Sequence, residues 1–369
     1  MLKSDVIPRP QPPAHFSVPS AASEQAFAGL GAPFPAAPKL APGPTAIGRD
    51  VLLECVALSD VPQVAWARLA DRAIEPNAFY DPAWVQPVST HARDRQDAKA
   101  LLVWDDADRK TLIGFLPVRW AWGALRLPVP MLVAWQAYAR LTTPLLDRDA
   151  AGRAAGGLVD AAAAAGARAL LLPDLAAKGP AGGALREALE TRGIAPGVMR
   201  QNERAWLDAS GDGQAKLYSA LGPKKLKELR RQRHRLADHG PVSFEVASSP
   251  TAVAAALEHF LALENGGWKR RLGTALAAHP GDLRFIREAA AALAAQGRFD
   301  VMTLTRGGTP IASGLVLRQG RRAYFFKIAF DESWRGPRRA CRSRSISPGI
   351  FARMRGSTAS IPPPMPNTR

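Results

Sequence analysis

Three short apolar segments follow one another closely in the second half of this chain. They span 299–305, 311–317 and 323–330, and the intervening turns are Arg306-Gly307-Gly308-Thr309 and Arg318-Gln319-Gly320-Arg321. These connections are too short for the crossover that parallel neighbours require. Turns of this length that contain glycine typically join hairpin strands. The pattern therefore predicts an antiparallel meander of three strands.

The segment before the meander predicts one strand and two helices. Residues 242–246 alternate as a strand, and Ser249-Pro250 then supplies an N-cap followed by proline at the first helical position. Apolar residues recur at helical spacing in both predicted helices. The inward positions are Val253, Leu257, Phe260 and Leu261 in the first helix, and Phe285, Ile286, Ala289 and Leu293 in the second, over 282–295.

The first half repeats this order. We expect a strand over 51–58, a helix capped by Ser59-Asp60, a short helix at 81–85, and strands over 100–104, 112–118 and 131–135. A helix over 149–165, a buried strand over 169–173 and a helix over 183–192 follow. Both halves thus read as strand, helix, helix and three strands. This order predicts an α/β (α+β) fold with mixed, mostly antiparallel sheets flanked by helices.

The predicted domains are 48–209 and 210–334. The turn-forming sequence Ser210-Gly211-Asp212-Gly213-Gln214 indicates the boundary between them. Residues 1–47 are rich in proline and alanine without a sustained period, which predicts a disordered leader.

The net charge of +17 is unevenly distributed. Residues 335–369 contain eight arginines and no lysine or acidic residue, so +9 remains for the rest of the chain. Seven basic residues lie within 224–235, where only Glu228 opposes them. Three interpretations of this segment stay open: a solvated helix, a contact to an anionic donor or acceptor, and a nucleic-acid contact.

Several classes of protein are not expected. The two cysteines, Cys55 and Cys341, make neither a disulfide framework nor a metal site, and the six histidines show no metal-binding spacing. No apolar run reaches the roughly 20 residues of a membrane helix, and no signal peptide begins the chain. We therefore predict a cytoplasmic protein without a metal or a membrane span.

Four sequence segments carry a family resemblance. They are Lys224-Lys225-Leu226-Lys227-Glu228-Leu229-Arg230-Arg231-Gln232-Arg233, Phe260-Leu261-Ala262-Leu263-Glu264-Asn265-Gly266-Gly267-Trp268-Lys269, Gly273-Thr274-Ala275 and Tyr324-Phe325-Phe326-Lys327-Ile328-Ala329-Phe330-Asp331-Glu332. Together they resemble the CelD-type GNAT acetyltransferase domain, which is associated with cellulose and exopolysaccharide loci. Two such units in one chain also resemble the FemAB/FemX transferases. The resemblance covers about 50–334 and implies tandem GNAT-like domains.

The resemblance implies an N- or O-acyltransferase that uses acyl-CoA (acetyl-CoA) as co-substrate and acts on a saccharide or amine in exopolysaccharide or cell-envelope synthesis. One alternative is a FemX-like transferase that uses aminoacyl-tRNA. Another is a GNAT scaffold that binds without catalysis. In the fold, a backbone N–H of the last meander strand stabilises the oxyanion, which assigns donor contacts here to Ile328 and Ala329.

Two charged residues within apolar patterns are the catalytic candidates. Glu264 shares the apolar stripe of its helix, where an unpaired carboxylate is costly. It is either a general base or a structural partner of Lys269 or Arg230. Lys327 lies within the last strand and, by alternation, shares a face with Phe325 and Ala329. A contact to donor or acceptor and an internal salt bridge both remain open for Lys327.

The other candidates are predicted substrate contacts. Trp268 and Lys269 follow the helix stop Gly266-Gly267, where they line an acceptor cleft or simply pack. We add Arg230, Tyr324 and Asp331 from the segments that carry the resemblance.

The sequence departs from the family pattern after Asp331-Glu332. Residues 335–369 are rich in arginine and lack periodicity. Codons for 343–357 exist that, read one nucleotide earlier, encode an amphipathic helix of the kind the family has there. We interpret the tail as the product of a frameshift, with a native basic tail as the alternative. This interpretation predicts a truncated second domain, a poorly ordered tail and a weak or inactive chain.

Overall fold

The computed structural model describes residues 51–93, 97–122, 130–139 and 141–334. The predictions of a disordered leader over 1–47 and of an aberrant tail over 335–369 lie outside these residues.

The first half builds a six-stranded sheet flanked by helices. The elements are β1 (Leu52–Ala57), α1 (Gln63–Arg72), α2 (Pro82–His91), β2 (Lys99–Trp104), β3 (Leu112–Trp120), β4 (Met131–Ala134), β5 (Leu145–Leu146), α3 (Ala151–Ala164), β6 (Ala169–Leu171) and α4 (Pro180–Thr191). The strand order is β1-β2-β3-β4-β6, and β5 pairs with β3. All pairs are antiparallel except β4 with β6.

The second half builds a four-stranded antiparallel sheet. Its elements are α5 (Gly213–Ala237), β7 (Val242–Ala247), α6 (Pro250–Gly266), α7 (Trp268–Arg271), α8 (Pro280–Ala295), β8 (Phe299–Arg306), β9 (Thr309–Gln319) and β10 (Arg322–Phe330). The strand order is β7-β8-β9-β10. The predicted meander is therefore present.

The predicted fold class is confirmed, because two mostly antiparallel sheets are flanked by helices. In each half, helices connect the first strand to the second: α1 and α2 in the first half, and α6, the short α7 and α8 in the second. The next strands follow in chain order. The domain boundary near 210 stays a prediction. Within the described ranges, no helix is long and apolar enough to cross a membrane.

One core of buried side chains joins residues from both halves. The Trp84 indole packs edge-on against Phe285 and Phe326, with ring centroids 5.5 and 4.8 Å apart. The stripe positions predicted for α6 and α8 are all buried in this core. Full burial of one such large apolar side chain contributes about 1.5–3 kcal/mol.

Two local predictions are wrong. Residues 58–60 form a 3-10 turn, and α1 begins only after Pro62, so Ser59 and Asp60 do not cap it. The residue before a proline is held extended, which delays the helix start. The predicted buried strand over 169–173 is the three-residue β6, and it is only partly covered because it lies at the end of its sheet. The predicted cap at Ser249 is confirmed, since its side chain accepts a hydrogen bond from Ala252 N.

Candidate functional site

The carboxylate of Glu264 is fully buried near the end of α6, with 0% of its side chain exposed. Helical spacing places it on the same stripe as Leu257 and Phe260, as predicted. Its Oε1 accepts from Lys269 Nζ at 3.1 Å and from Lys327 Nζ at 3.0 Å. Its Oε2 accepts from the backbone N–H of Leu276 at 2.8 Å. Three donors therefore hold this one carboxylate in place.

Lys269 reaches this carboxylate because α6 ends at Gly266 and α7 begins at Trp268. Gly267 has an extended backbone and separates the two helices, so α7 starts in a new direction. The Lys269 ammonium donates to Glu264 and also to the carbonyl oxygen of Ile328 on β10. Lys269 therefore links α6, α7 and the last strand.

Lys327 points to the same place because β10 contains a bulge. The pairing with β9 shifts between Phe325 and Lys327, which leaves Phe326 as the extra residue. Tyr324, Phe326 and Ala329 pack against the large core, whereas Phe325 lies against a small cluster on the opposite face. The prediction that Lys327 shares a face with Phe325 is thus wrong, because the bulge interrupts simple alternation.

Gly314 of β9 accommodates this bulge. A Cβ at Gly314 would lie 2.7 Å from the tip of the Phe325 ring, so the ring occupies the space that a side chain would need. Glycine inside a strand often marks such a close approach.

The loop between α7 and α8 closes the site from another side. Thr274 O accepts from Lys327 Nζ at 3.1 Å, and Gly273 O accepts from Arg93 Nη1 at 2.6 Å. Arg93 follows α2 in the first half and also pairs with buried Asp282, with 3.2 Å between Nε and Oδ2. The first half of the chain therefore holds a loop that contacts Lys327.

Burial has the largest effect on the pKa of Lys327. Desolvation of its amine lowers the pKa, the Glu264 carboxylate opposes this by favouring the ammonium, and the charges of Lys269 and Arg93 lower the pKa further. The side chain is 18% exposed. A buried amine with a lowered pKa holds a larger neutral fraction near neutral pH than a surface lysine does.

The backbone of β10 presents alternate N–H groups to the outer edge of its sheet. Asp331 N donates to Ile311 O of β9 at 2.9 Å, so alternation directs Ala329 N toward β9 as well. The N–H groups of Ile328 and Phe330 then point outward. Ile328 O points to the same side, which agrees with its contact to Lys269. Of the two predicted donor contacts, only the Ile328 N–H faces the edge.

A small cavity of about 10 Å³ lies between this edge and the end of α6. That is the space of about one water molecule. It is lined by Leu263, Glu264, Gly267, Trp268, Lys269, Ile328, Ala329 and Phe330. Glu264, Lys269 and Lys327 are called the charged cluster below, and Glu264 and Lys269 line this cavity.

The structure places the predicted substrate contacts in different regions. Trp268 is half-buried beside the cavity, and its backbone N–H donates to Glu332 Oε1 at 3.1 Å. Asp331 accepts from Ser333 N at 2.9 Å and so caps the turn after β10. Arg230 lies exposed on α5, and the described partners of Glu264 do not include it.

Tyr324 lies where the two halves of the chain meet. Its hydroxyl donates to Pro76 O, and its ring packs against Phe79 with centroids 5.5 Å apart. Burial raises the pKa of Tyr324 to about 12. These contacts explain Tyr324 by packing, and its predicted substrate role stays a prediction.

Sequence reasoning missed Arg93, Thr274 and the N–H of Leu276. The Gly273-Thr274-Ala275 sequence belonged to the family resemblance, but no role followed from it. Arg93 carries no local signal, because its hydrogen bond to Gly273 spans 180 residues. No group of three metal-ligating side chains occurs in the described part of the chain.

The geometry favours an ion-pair role for Glu264 over proton abstraction, because its oxygens are already occupied by three donors.

This site geometry can be set beside known protein sequences and structures. No curated protein sequence matches the chain. A solved structure that matches is the C-terminal domain (DUF2156) of a protein designated a lysylphosphatidylglycerol synthetase from Agrobacterium fabrum. It is 16% identical with a TM-score of 0.44, and the match covers 80% of this chain and 73% of that chain. Similarity at this level carries no argument about activity.

The family model described as an acetyltransferase (GNAT) domain matches residues 223–344. This range contains α6, the meander and all three charged residues of the cluster. The second half of the chain therefore contains a GNAT acetyltransferase-like domain.

Proposed function

We propose that this protein transfers an acyl group from acyl-CoA to an amine or a hydroxyl. The observation that carries the proposal is the outward N–H of Ile328 beside the buried lysine cluster, within the segment matched by the GNAT domain. Acyl transfer needs a fixed donor for the oxyanion and a group that removes the proton of the attacking atom.

The reaction has a simple bond balance. The lone pair of the acceptor nitrogen or oxygen forms a bond to the thioester carbon, and the carbon–sulfur bond then breaks. The acceptor loses one proton, and the CoA sulfur leaves as a thiolate that takes up a proton. The N–H of Ile328 stabilises the charge on the carbonyl oxygen, and the proton of the acceptor passes to water.

Glu264 and Lys269 act as positioning residues in this proposal. Glu264 holds both ammonium groups, and Lys269 holds the carbonyl of Ile328. The direction of the Ile328 peptide is thereby fixed before the acyl donor arrives, which avoids reorganisation during the reaction.

The acceptor and the pathway form the finer part of the proposal. We propose a saccharide or an amine in exopolysaccharide or cell-envelope synthesis as the acceptor, on the family resemblance of the sequence alone. A panel of amino sugars, sugars and amines, assayed by release of the free CoA thiol from acetyl-CoA, identifies the acceptor class.

The substitution Ile328→Pro tests the proposal. Proline removes the outward N–H, and an edge strand tolerates it better than an inner strand does. Loss of one oxyanion donor lowers kcat about 10²–10³-fold. Ile328→Val keeps the N–H and serves as the control. Equal turnover of the proline and valine variants would remove the Ile328 N–H from the mechanism.

Donor binding to the full chain separates the proposal from its alternatives. Isothermal titration with acetyl-CoA is expected to show saturable binding. Binding of aminoacyl-tRNA without binding of acetyl-CoA would favour a FemX-like transferase. Binding of neither would favour a non-catalytic GNAT scaffold.

A further inference from the structure

The buried cluster contains more positive than negative charge. Lys269 and Lys327 share the single carboxylate of Glu264. Glu264 and Lys269 line the cavity at the edge of β10, and Lys327 precedes its lining residue Ile328. Each ammonium has three protons to donate. The described bonds use two from each: Lys269 donates to Glu264 and Ile328 O, and Lys327 to Glu264 and Thr274 O.

Among the described residues, two ion pairs near the cluster leave this excess in place. Arg93 pairs with Asp282, and Arg271 pairs with Glu332 at 2.7 Å. Each of these pairs is neutral in itself. The negative charge that acts on Lys327 comes from Glu264, whereas Lys269 and Arg93 both act on it as positive charges. Excess charge away from bulk water is costly unless a counter-charge is present.

The cavity can receive such a counter-charge. Its volume of about 10 Å³ matches one water molecule, and a carboxylate oxygen is of similar size. The side chains of Lys269 and Lys327 are 15% and 18% exposed, so each side chain keeps some contact with solvent. The outward N–H of Ile328 adds a further donor at this edge.

We propose that this cavity is a carboxylate subsite, so that the acceptor is an anionic molecule with a carboxylate near its amine or hydroxyl, such as an amino acid or a sugar acid. The subsite takes one carboxylate oxygen beside Lys269, whose partner carboxylate Glu264 is shared with Lys327. Its role in acceptor recognition rests on the proposed acyl transfer, whereas anion binding itself does not.

Acetate and acetamide provide a matched pair of probes, because they are similar in size and differ in charge. The thermal midpoint of the full chain is measured with each probe at constant ionic strength. A ligand that binds only the folded state stabilises it by RT ln(1 + [L]/Kd), so above Kd the midpoint keeps rising with the logarithm of the ligand concentration. We expect such a rise with acetate and none with acetamide. Equal effects of the two probes, or no effect of either, would overturn the subsite.

The substitution Lys269→Met tests whether acetate binds in the cavity beside Lys269. Methionine keeps most of the stem and leaves one carboxylate with one ammonium, so the cluster becomes neutral and the fold is expected to persist. We expect acetate affinity to fall at least tenfold. Arg271→Met is the control, because it removes one positive charge from the same short helix at an exposed pair. An equal loss in both variants would show a general surface-charge effect and contradict the proposal.

Two further results distinguish a carboxylate site from a general anion site, and anion binding from acyl transfer. A rise with chloride or phosphate but none with acetate would overturn a carboxylate subsite. Titration of the same protein with acetyl-CoA is scored separately. Acetate binding without acetyl-CoA binding would refute acyl transfer and keep the anion site, and the reverse result would refute only the subsite.

Discussion

Lys327 Nζ lies 3.0 Å from Glu264 Oε1, across 63 residues of sequence. The contact joins the last strand of the second sheet to the end of α6. Because Glu264 is the only described carboxylate that both Lys269 and Lys327 contact, its charge holds the end of α6, α7 and β10 together.

Replacement of Glu264 by glutamine is expected to destabilise the protein by about 3–5 kcal/mol, because it leaves two partly buried ammonium groups without a counter-charge. Urea unfolding measures the change. Glu258→Gln is the matched control on the same helix, since Glu258 and Arg287 form an exposed pair, and such pairs are worth about 0–1 kcal/mol. A loss for Glu264→Gln as small as the control would contradict a structural role for the cluster charge.

The stability of the protein is expected to rise with pH as Lys327 loses its proton. Burial lowers the pKa of Lys327 from the usual 10.5, so the unfolded chain binds more protons than the folded chain between the two values. The free energy of unfolding therefore increases with pH in the window that ends near 10.5. Lys327→Met lacks this contribution. Chemical unfolding of both proteins across the window gives the difference, and identical slopes would refute the lowered pKa.

For Tyr324 we expect the opposite pH dependence of the free energy of unfolding, at higher pH. Its pKa is raised from 10.0 to about 12 in the folded state, so the unfolded tyrosine loses its proton first. The free energy of unfolding then falls as the pH rises from 10 toward about 12. Tyr324→Phe removes this fall and costs about 1 kcal/mol at neutral pH through loss of the bond to Pro76 O. A wild-type slope in the phenylalanine variant would assign the titration to another group.

Arg93 and Asp282 are expected to couple strongly. Asp282 has no exposed side-chain surface, and Arg93 supplies both a side-chain and a backbone donor to it. Arg93→Met leaves this carboxylate without its ion-pair partner, which costs about 3 kcal/mol or more. Adding Asp282→Asn should recover part of the loss in a double-mutant cycle.

The exposed pair of Lys110 and Asp108 is the control for this cycle, and its coupling should stay below about 1 kcal/mol. Additive effects of the Arg93 and Asp282 substitutions would show that the two halves are not linked through this pair.

The sequence by itself determined the elements whose pattern is local. The helical spacing of Val253, Leu257, Phe260 and Leu261 predicted the buried face of α6, and the same spacing placed Glu264 on that face. The short glycine turns predicted the meander of β8, β9 and β10. These features depend on periods of 3.6 and 2 and on turn chemistry, which neighbouring residues specify.

Only the tertiary structure decided which side chains meet Glu264. The direction of Lys327 depends on the bulge in β10, and the bulge depends on pairing with β9 and on the space above Gly314. Arg93 reaches the site because α2 of the first half packs beside α8 of the second. The register shift in β10 is set by its partner strand β9. The contact of Arg93 is set by a loop that lies 180 residues away in the sequence. Local periodicity contains no information about that partner.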